Sequence, residues 1–347
     1  MPSPARVTVL GLGQMGLVCA GILSTPDAAS RSPRAEVRLW GHSTDEAGAL
    51  TQTRRSYRLP GFTLPDSVRV CLRDDEALEG ADLIVSAIPV QFTRSVWERL
   101  RRHVPRDAAV VSVAKGIENE TLLRPTQILA DALRDDPDSR PRRLAVLSGP
   151  TIAPELARCL PATMIAASDD ADFAAEVQRT FSTSWLRVYT NPDVLGVELA
   201  GATKNVIAIA AGILDGLQAG YNAKSALLAR GLAEIARLGA AMGASPDTFF
   251  GIAGVGDLAT SCFSPEGRNR SCGEALGRGQ RLGAYLASQP FVVEGVATTR
   301  SVMDLARKYR VDMPITASVH AVLFEGMDPI EAIGRLMSRE LKSERIA

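Results

Sequence analysis

Short apolar runs alternate with helical patterns through the first half of the chain. The runs are Val7-Leu10, Val37-Trp40, Leu83-Ile88, Ala109-Val113, Leu144-Leu147, Met164-Ala167 and Leu186-Tyr189. This alternation is what a parallel sheet with crossover helices requires, so the expected fold class is α/β with an N-terminal Rossmann-type, mostly parallel sheet. After Thr190-Asn191-Pro192 the pattern changes: 3.6-residue periodicity runs through 194–215, 223–242, 298–309, 315–324 and 329–338, with no further convincing strand. A boundary near residue 190 follows, giving a first domain over 1–190 and an all-α domain over 191–347. Gly and Pro interrupt the second half at Gly251–Gly256 and Ser264–Gly267, which marks loops between helices.

The longest apolar stretch, Val194 to Leu214, holds Glu198, Lys204 and Asn205 near its middle, which favours a buried core helix over a membrane span. Gly201, Lys204, Asn205, Ala208, Ala211 and Gly212 share one helical face, a stripe of small residues that something can approach closely. Lys204 is one of five lysines in a chain that otherwise takes its positive charge from arginine. A buried ammonium exchanges a proton near neutral pH and a guanidinium does not, so a Lys kept here points to acid/base work. A snorkelling amine, or one paired with Glu198 or Asp215, is the competing explanation.

Composition narrows the class. A chain of 347 residues with 46% apolar content supports two cores. Basic and acidic residues balance at 39 each, which argues against nucleic acid or an anionic membrane surface as a partner. Cys19, Cys71, Cys159, Cys262 and Cys272 are odd in number and scattered, without metal-site or disulfide-framework spacing, so a reducing compartment is expected and no metal. With no apolar signal segment before the first strand, the expected location is cytoplasmic.

Gly11-Leu-Gly-Gln-Met-Gly16 directly follows the strand Val7-Leu10 and opens a helix, Met15 to Leu23. Placed there, Gly11, Gly13 and Gly16 allow a tight turn and close backbone approach, and the helix N-terminus offers N–H groups to a pyrophosphate. The expected cofactor is NADP or NAD. Glu36 lies at the usual distance for an acid on the ribose 2′-hydroxyl but precedes its strand, at the wrong end. The correct end reads Trp40-Gly-His42-Ser43, which has no carboxylate to repel a 2′-phosphate. His42 or a neighbouring Arg then faces that phosphate, unless His42 is a solvated loop residue.

Further polar groups follow apolar elements, where active sites of α/β proteins gather. Lys115-Gly116 follows Ala109-Val113, and Ser148-Gly-Pro-Thr151 follows Leu144-Leu147. Gly254-Val-Gly-Asp257 precedes Ser261, and Gly267-Arg268-Asn269-Arg270 sits at the start of a helix, where Arg268 and backbone N–H groups suit a phosphate. Lys115 in a surface turn and Asp257 as a helix cap are the plainer explanations.

Together these segments resemble the bacterial type of NAD(P)-dependent glycerol-3-phosphate dehydrogenase. The matching stretches are Gly11-Leu-Gly-Gln-Met-Gly, Leu39-Trp-Gly-His, Ala114-Lys-Gly, Ser148-Gly-Pro-Thr, Gly201-Ala-Thr-Lys-Asn-Val-Ile-Ala-Ile-Ala-Ala-Gly, Gly256-Asp-Leu, Arg268-Asn-Arg, Val292-Val-Glu-Gly and Met313-Pro-Ile-Thr. The resemblance implies interconversion of sn-glycerol 3-phosphate and dihydroxyacetone phosphate, a small phosphorylated three-carbon pair, for phospholipid synthesis. It implies Lys204 as proton acceptor or donor at the C2 oxygen, Lys115 assisting there, and Asp257 orienting Lys204. It places Lys115, Gly149, Asn205, Asp257, Ser261, Gly267, Arg268 and Asn269 at the substrate. It places Gly11, Gly13, Gln14, Met15, Gly16, His42, Lys115, Ala153, Arg268, Val292 and Glu294 at the cofactor, and it suggests a homodimer. The chain departs from the family pattern at Gln14-Met15 and at Gly267, where side-chain contacts to phosphate are in doubt and backbone contacts are kept. Two nearby ammonium groups should lower one another's pKa. A 6-phosphogluconate-like or ketopantoate-reductase-like dehydrogenase shares the two-domain plan, and a non-catalytic NADP-binding redox sensor is the alternative from another class.

Overall fold

A computed structural model describes residues 6–25, 35–134, 141–341 and 343. These fall into two compact units: one contains residues up to Ala114 together with Pro125–Val194, the other Lys115–Arg124 together with the chain from Leu195 onward.

The first unit runs β1 (Arg6–Leu10), α1 (Gln14–Ser24), β2 (Glu36–Trp40), α2 (Thr44–Thr53), β3 (Val68–Cys71), α3 (Asp74–Leu78), β4 (Leu83–Ser86), α4 (Val90–Leu100), β5 (Ala109–Ser112), α5 (Pro125–Leu133), β6 (Leu144–Ser148), α6 (Ala153–Ala157), β7 (Ala162–Ala167), α7 (Ala171–Phe181) and β8 (Leu186–Asn191). The strands make one eight-stranded sheet in the order β3-β2-β1-β4-β5-β6-β7-β8. All neighbours are parallel except β6 and β7, so the last two strands run against the other six. Successive side chains feed opposite faces, as the pleat demands. Leu83, Val85, Ala109 and Val111 join α1 and α7 in one core layer through Leu17, Phe173 and Val177. Ile84 and Val110 instead meet Trp97, Leu100 and Leu129 of α4 and α5 on the other face. Strand β3 escapes the sequence pattern because it is a short edge strand, Val-Arg-Val-Cys, whose Arg69 is exposed.

The second unit is helical among the described residues: α8 (Val194–Gly216), α9 (Gly220–Met242), α10 (Pro246–Phe250), α11 (Asp257–Phe263), α12 (Arg268–Gly277), α13 (Leu282–Ala287), α14 (Glu294–Tyr309), α15 (Pro314–Phe324) and α16 (Pro329–Met337). Gly251–Gly256, expected as a loop, is mostly a wide π-helical turn over Ile252–Gly256 that runs straight into α11. Helix α8 is long and apolar enough to cross a membrane, with mean hydropathy 1.5, yet 94% of its most apolar window is buried within the fold. It is the core helix of this unit, surrounded by Ile235, Phe249, Leu258, Val302 and Ile315.

The small-residue stripe on α8 is occupied by another helix. A Cβ on Gly212 would stand 1.9 Å from the Arg270 carbonyl oxygen, and one on Gly273 would stand 1.9 Å from that of Ile209, so α8 and α12 touch backbone to backbone. The Arg268-Asn269 start of α12 is thereby held against the turn of α8 that carries Asn205.

One boundary differs from the sequence expectation. Residues 115–124, assigned by pattern to the first domain, pack with the second unit. The cause is apolar burial plus backbone satisfaction: Ile117 is fully buried among second-unit residues, and its carbonyl accepts a 3.1 Å hydrogen bond from Ser301 Oγ. At the other edge, β8 continues to Asn191 and the division falls between Val194 and Leu195.

Candidate active site

The nucleotide loop lies in the first unit where the strand order reverses, between β1 and β4, the place where open α/β sheets bind ligands. Gly11 has φ 122°, and a Cβ there would meet the Ala87 carbonyl oxygen at 2.6 Å. Gly16 permits a still closer approach, its Cβ position lying 1.9 Å from the Gly11 carbonyl oxygen. Gly13 differs: nothing lies within 4 Å of its Cβ position, so its side faces the open space a pyrophosphate needs. No described side chain caps α1 and its first turn has no acid, which leaves N–H groups and a partial positive charge for an anion. The loop therefore fits a dinucleotide.

Beside it, Gly11 N–H donates to the Trp40 carbonyl at 2.7 Å, tying the loop to the end of β2. His42 is exposed just beyond, and Ser43 accepts the Glu46 N–H to cap α2. Gln14 donates through Nε2 to the Arg58 carbonyl at 2.9 Å, while Met15 packs against the sheet core. Glu36 begins β2 and pairs with Arg6 and Arg38, at the far end of the strand from the loop. Gly149, at φ 125°, turns the chain after β6, and Ala153 opens α6.

In the second unit one carboxylate gathers two ammonium groups. Asp257 Oδ1 is 2.9 Å from Lys204 Nζ and Asp257 Oδ2 is 2.5 Å from Lys115 Nζ. Lys204 also donates to Ser261 Oγ at 2.6 Å. Lys204 neither snorkels nor pairs with the acids named as alternatives: it is 7% exposed, Glu198 pairs with Arg124, and Asp215 pairs with Lys224 and Arg270. Asp257 does not cap its helix, since both its oxygens face lysines.

Burial pushes Lys115 down to about 8, Lys204 pushes in the same direction, and Asp257 opposes both. For Asp257, burial raises the carboxyl, but the two ammonium groups outweigh it and hold it below the ordinary carboxylate range. The cluster thus carries a fixed carboxylate and, in Lys115, an amine that exchanges its proton close to neutral pH.

A chain of amides surrounds it. Asn205 Nδ2 donates to the Lys115 carbonyl at 3.2 Å, Asn269 Nδ2 donates to Asn205 Oδ1 at 2.9 Å, and Asn269 Oδ1 accepts the Gly295 N–H at 2.9 Å. Each amide is thereby fixed in one orientation. Arg268 opens α12 after Gly267, donates to the Val292 carbonyl at 3.2 Å and lies 5.8 Å from the Phe291 ring centre. Glu294 begins α14 and is among the charges acting on Lys115.

The fold thus links Lys115, Lys204, Asn205, Asp257, Ser261 and Asn269 by direct contacts, with Gly267, Arg268, Val292 and Glu294 in the same unit. Gly11, Gly13, Gln14, Met15, Gly16, His42, Gly149 and Ala153 belong to the first unit. Among the ion pairs that went unread in the sequence, two bear on the site. Glu198, fully buried, pairs with Arg124, and Glu46 pairs with Arg58. The first left a signal, because an acid in an apolar helix needs a cation from elsewhere. The second left none.

Comparison with known proteins shows what the chain is similar to. Residues 6–174 match the family described as NAD-dependent glycerol-3-phosphate dehydrogenase N-terminus, and residues 193–334 match the corresponding C-terminus. The NAD(P)+ glycerol-3-phosphate dehydrogenase of Streptomyces griseus is 44% identical over 347 residues, covering 99% of this chain and 100% of the relative. That of Pelotomaculum thermopropionicum is 43% identical over 335 residues, covering 96% and 93%. The crystal structure of glycerol-3-phosphate dehydrogenase from Coxiella burnetii superposes with a TM-score of 0.89 at 32% identity, over 96% of this chain and 99% of that one.

Proposed function

The chain belongs to the NAD-dependent glycerol-3-phosphate dehydrogenase family, and on that premise we propose that it interconverts sn-glycerol 3-phosphate and dihydroxyacetone phosphate with NAD(P)H, using Lys204 as the proton donor and acceptor. The single observation that supports these roles is the sharing of Asp257 by Lys204 and Lys115. When bound, the nicotinamide supplies or accepts the hydride at C2; the side chains handle charge and protons.

In the direction of ketone reduction, negative charge builds on the C2 oxygen as the hydride arrives. Lys204 Nζ spends one N–H on Asp257 and one on Ser261, and its third has no partner among the described residues, so it can point at that oxygen. It donates the proton there, and in the reverse direction takes it back. Lys115 adds a second positive charge close to the first, which favours the developing alkoxide. Asp257 holds both amines in place and offsets the cost of burying them together. Asn205, Ser261 and Asn269 hold substrate hydroxyls. Arg268, with the uncapped N–H groups that follow Gly267, holds the phosphate, since a guanidinium fork and a helix N-terminus both suit that group. In the first unit, Gly11, Gly13, Gln14, Met15 and Gly16 hold the dinucleotide with His42 and Ala153 beside it, while the family resemblance gives Gly149 to the substrate.

The product alcohol feeds glycerophospholipid synthesis in the cytoplasm, a reading in keeping with five free cysteines, four of them buried. We assign the active form to a homodimer, as the family resemblance suggested.

The test is nicotinamide absorbance with purified protein, NADPH and dihydroxyacetone phosphate. Decay that needs both supports the reading, and a redox sensor gives none. Lys204→Ala should lower turnover about 10²–10⁴-fold, the usual scale for an acid/base group, with nucleotide affinity unchanged. Turnover kept within a few-fold would move the proton role to another residue.

A further inference from the structure

Arg58 lies between α2 and β3, in the first unit, and two contacts fix where it stands. Its carbonyl accepts the 2.9 Å hydrogen bond from Gln14, the first residue of α1. Its guanidinium grips Glu46, on the first turn of α2, with Nε 2.5 Å from Oε1 and Nη2 3.0 Å from Oε2. Both helices start directly after the C-terminal ends of β1 and β2, and the Gly11 hydrogen bond to Trp40 holds those ends together. In a sheet of this order the adenosine ribose of a bound dinucleotide lies at the end of the second strand. Arg58 is 26% exposed and Glu46 17%, so the pair is reachable by a ligand.

We propose that Arg58 reads the 2′-phosphate of NADP and that Glu46, by competing for the same guanidinium, sets how strongly NADP is preferred to NAD. The inference rests on the reading that this chain binds NAD(P), and it names the residues that discriminate between the two forms. A planar fork gives a phosphate monoester two parallel charge-assisted hydrogen bonds, as it now gives Glu46. The 2′-phosphate must displace Glu46 and also meet its negative charge, whereas the bare 2′-hydroxyl of NAD has no need to disturb the pair. The end of β2 contributes no carboxylate of its own, because Trp40 is followed by Gly41, His42 and Ser43. Of the two acids in the first turn of α2, Asp45 and Glu46, it is Glu46 that holds the Arg58 guanidinium, so it weighs against NADP through Arg58.

The experiment measures dissociation constants of NADPH, NADH, 2′,5′-ADP and 5′-AMP for the intact protein, Glu46→Gln and Arg58→Met. Removing the competitor should tighten NADPH and 2′,5′-ADP about tenfold, the worth of a charge-assisted hydrogen bond, with NADH and 5′-AMP within about twofold. Arg58→Met should weaken the two 2′-phosphorylated ligands by about the same factor and leave the other two in place. Equal shifts for both forms of the nucleotide, or no shift in either variant, would overturn the assignment. Because the readout is binding, it is separate from turnover. Selective binding without dihydroxyacetone phosphate reduction would sink the proposed activity alone, and turnover without selective shifts would sink this inference alone.

Discussion

At the residue scale, the behaviour of Asp257 is decided by competition between burial and neighbouring charge. Burial would protonate it, and two ammonium groups within hydrogen-bond reach keep it ionised. The same balance sets Lys115, whose amine falls to about 8 because burial and Lys204 outweigh the pull of Asp257. Lys115 is therefore cationic below that pH and loses its proton above it, so the rate of ketone reduction should fall as pH rises through about 8. Asp257→Asn removes the carboxylate whose ion pair raises Lys115 most. Its expected outcome is a limb displaced to lower pH together with a turnover loss of about 10²-fold, seen in the pH profile of kcat/KM. A limb that stayed at its original pH in a folded variant would show that another group is titrating. The sequence made Lys204 and Asn205 conspicuous, because polar residues in an apolar helix stand out. It could not say which acid Lys204 would meet, since Asp257 is distant along the chain and only the π-helical turn after Gly251 brings it to the amine.

At the element scale, the decisive contact is the backbone-to-backbone seam of α8 and α12. Gly212, Gly216, Gly273 and Gly277 each leave too little room for a Cβ, the nearest atoms being main chain that cannot rotate away. This seam fixes where α12 starts, and so where Arg268 and Asn269 stand relative to Asn205. Gly273→Ala should therefore destabilise the fold by about 1–3 kcal/mol despite the better helix propensity of Ala, and should lower turnover as well. Gly334→Ala in α16, where nothing lies within 4 Å of the added carbon, should instead gain about 0.5–1 kcal/mol. Denaturant midpoints of the two variants compare them directly, and similar shifts of one sign would refute the packing account. The small-residue face of α8 was legible from helical spacing alone. Its occupant was not, because periodicity says that a face is small without saying what lies on it. Seven of the strands in the sheet were likewise legible as apolar runs, whereas β3 was hidden by the exposed arginine of an edge strand.

At the scale of the whole molecule, the question is how a chain that alternates strand and helix hands Lys115, the partner of Asp257, to a helical unit. Lys115 follows β5 within a few residues, yet it belongs to the second unit, because residues 115–124 leave the sheet and return only at Pro125. Pattern reading keeps such an excursion with the domain on either side of it, since a short segment with no period of its own shows no change of partner. Its anchors include Ile117 in the second core, the Ser301 bond to the Ile117 carbonyl, the Asn205 bond to the Lys115 carbonyl, and the ion pair of Arg124 with Glu198. The ion pair is the anchor farthest along the chain from the Lys115 amine, so it can be weakened without touching the amine cluster itself. Glu198→Gln keeps the size of the side chain and removes the charge that Arg124 faces inside the unit, a change that costs about 3–5 kcal/mol at buried pairs. The expected variant melts lower and turns over slowly, because the segment no longer holds Lys115 on Asp257. Its nucleotide affinity should fall much less than its turnover, since Gly11, Gly13 and Gly16 belong to the other unit. Thermal melting, turnover and the dissociation constant of NADPH measured on one preparation distinguish this from general damage. A loss of nucleotide binding as large as the loss of turnover would mean that the substitution damages the fold at large rather than acting through Lys115.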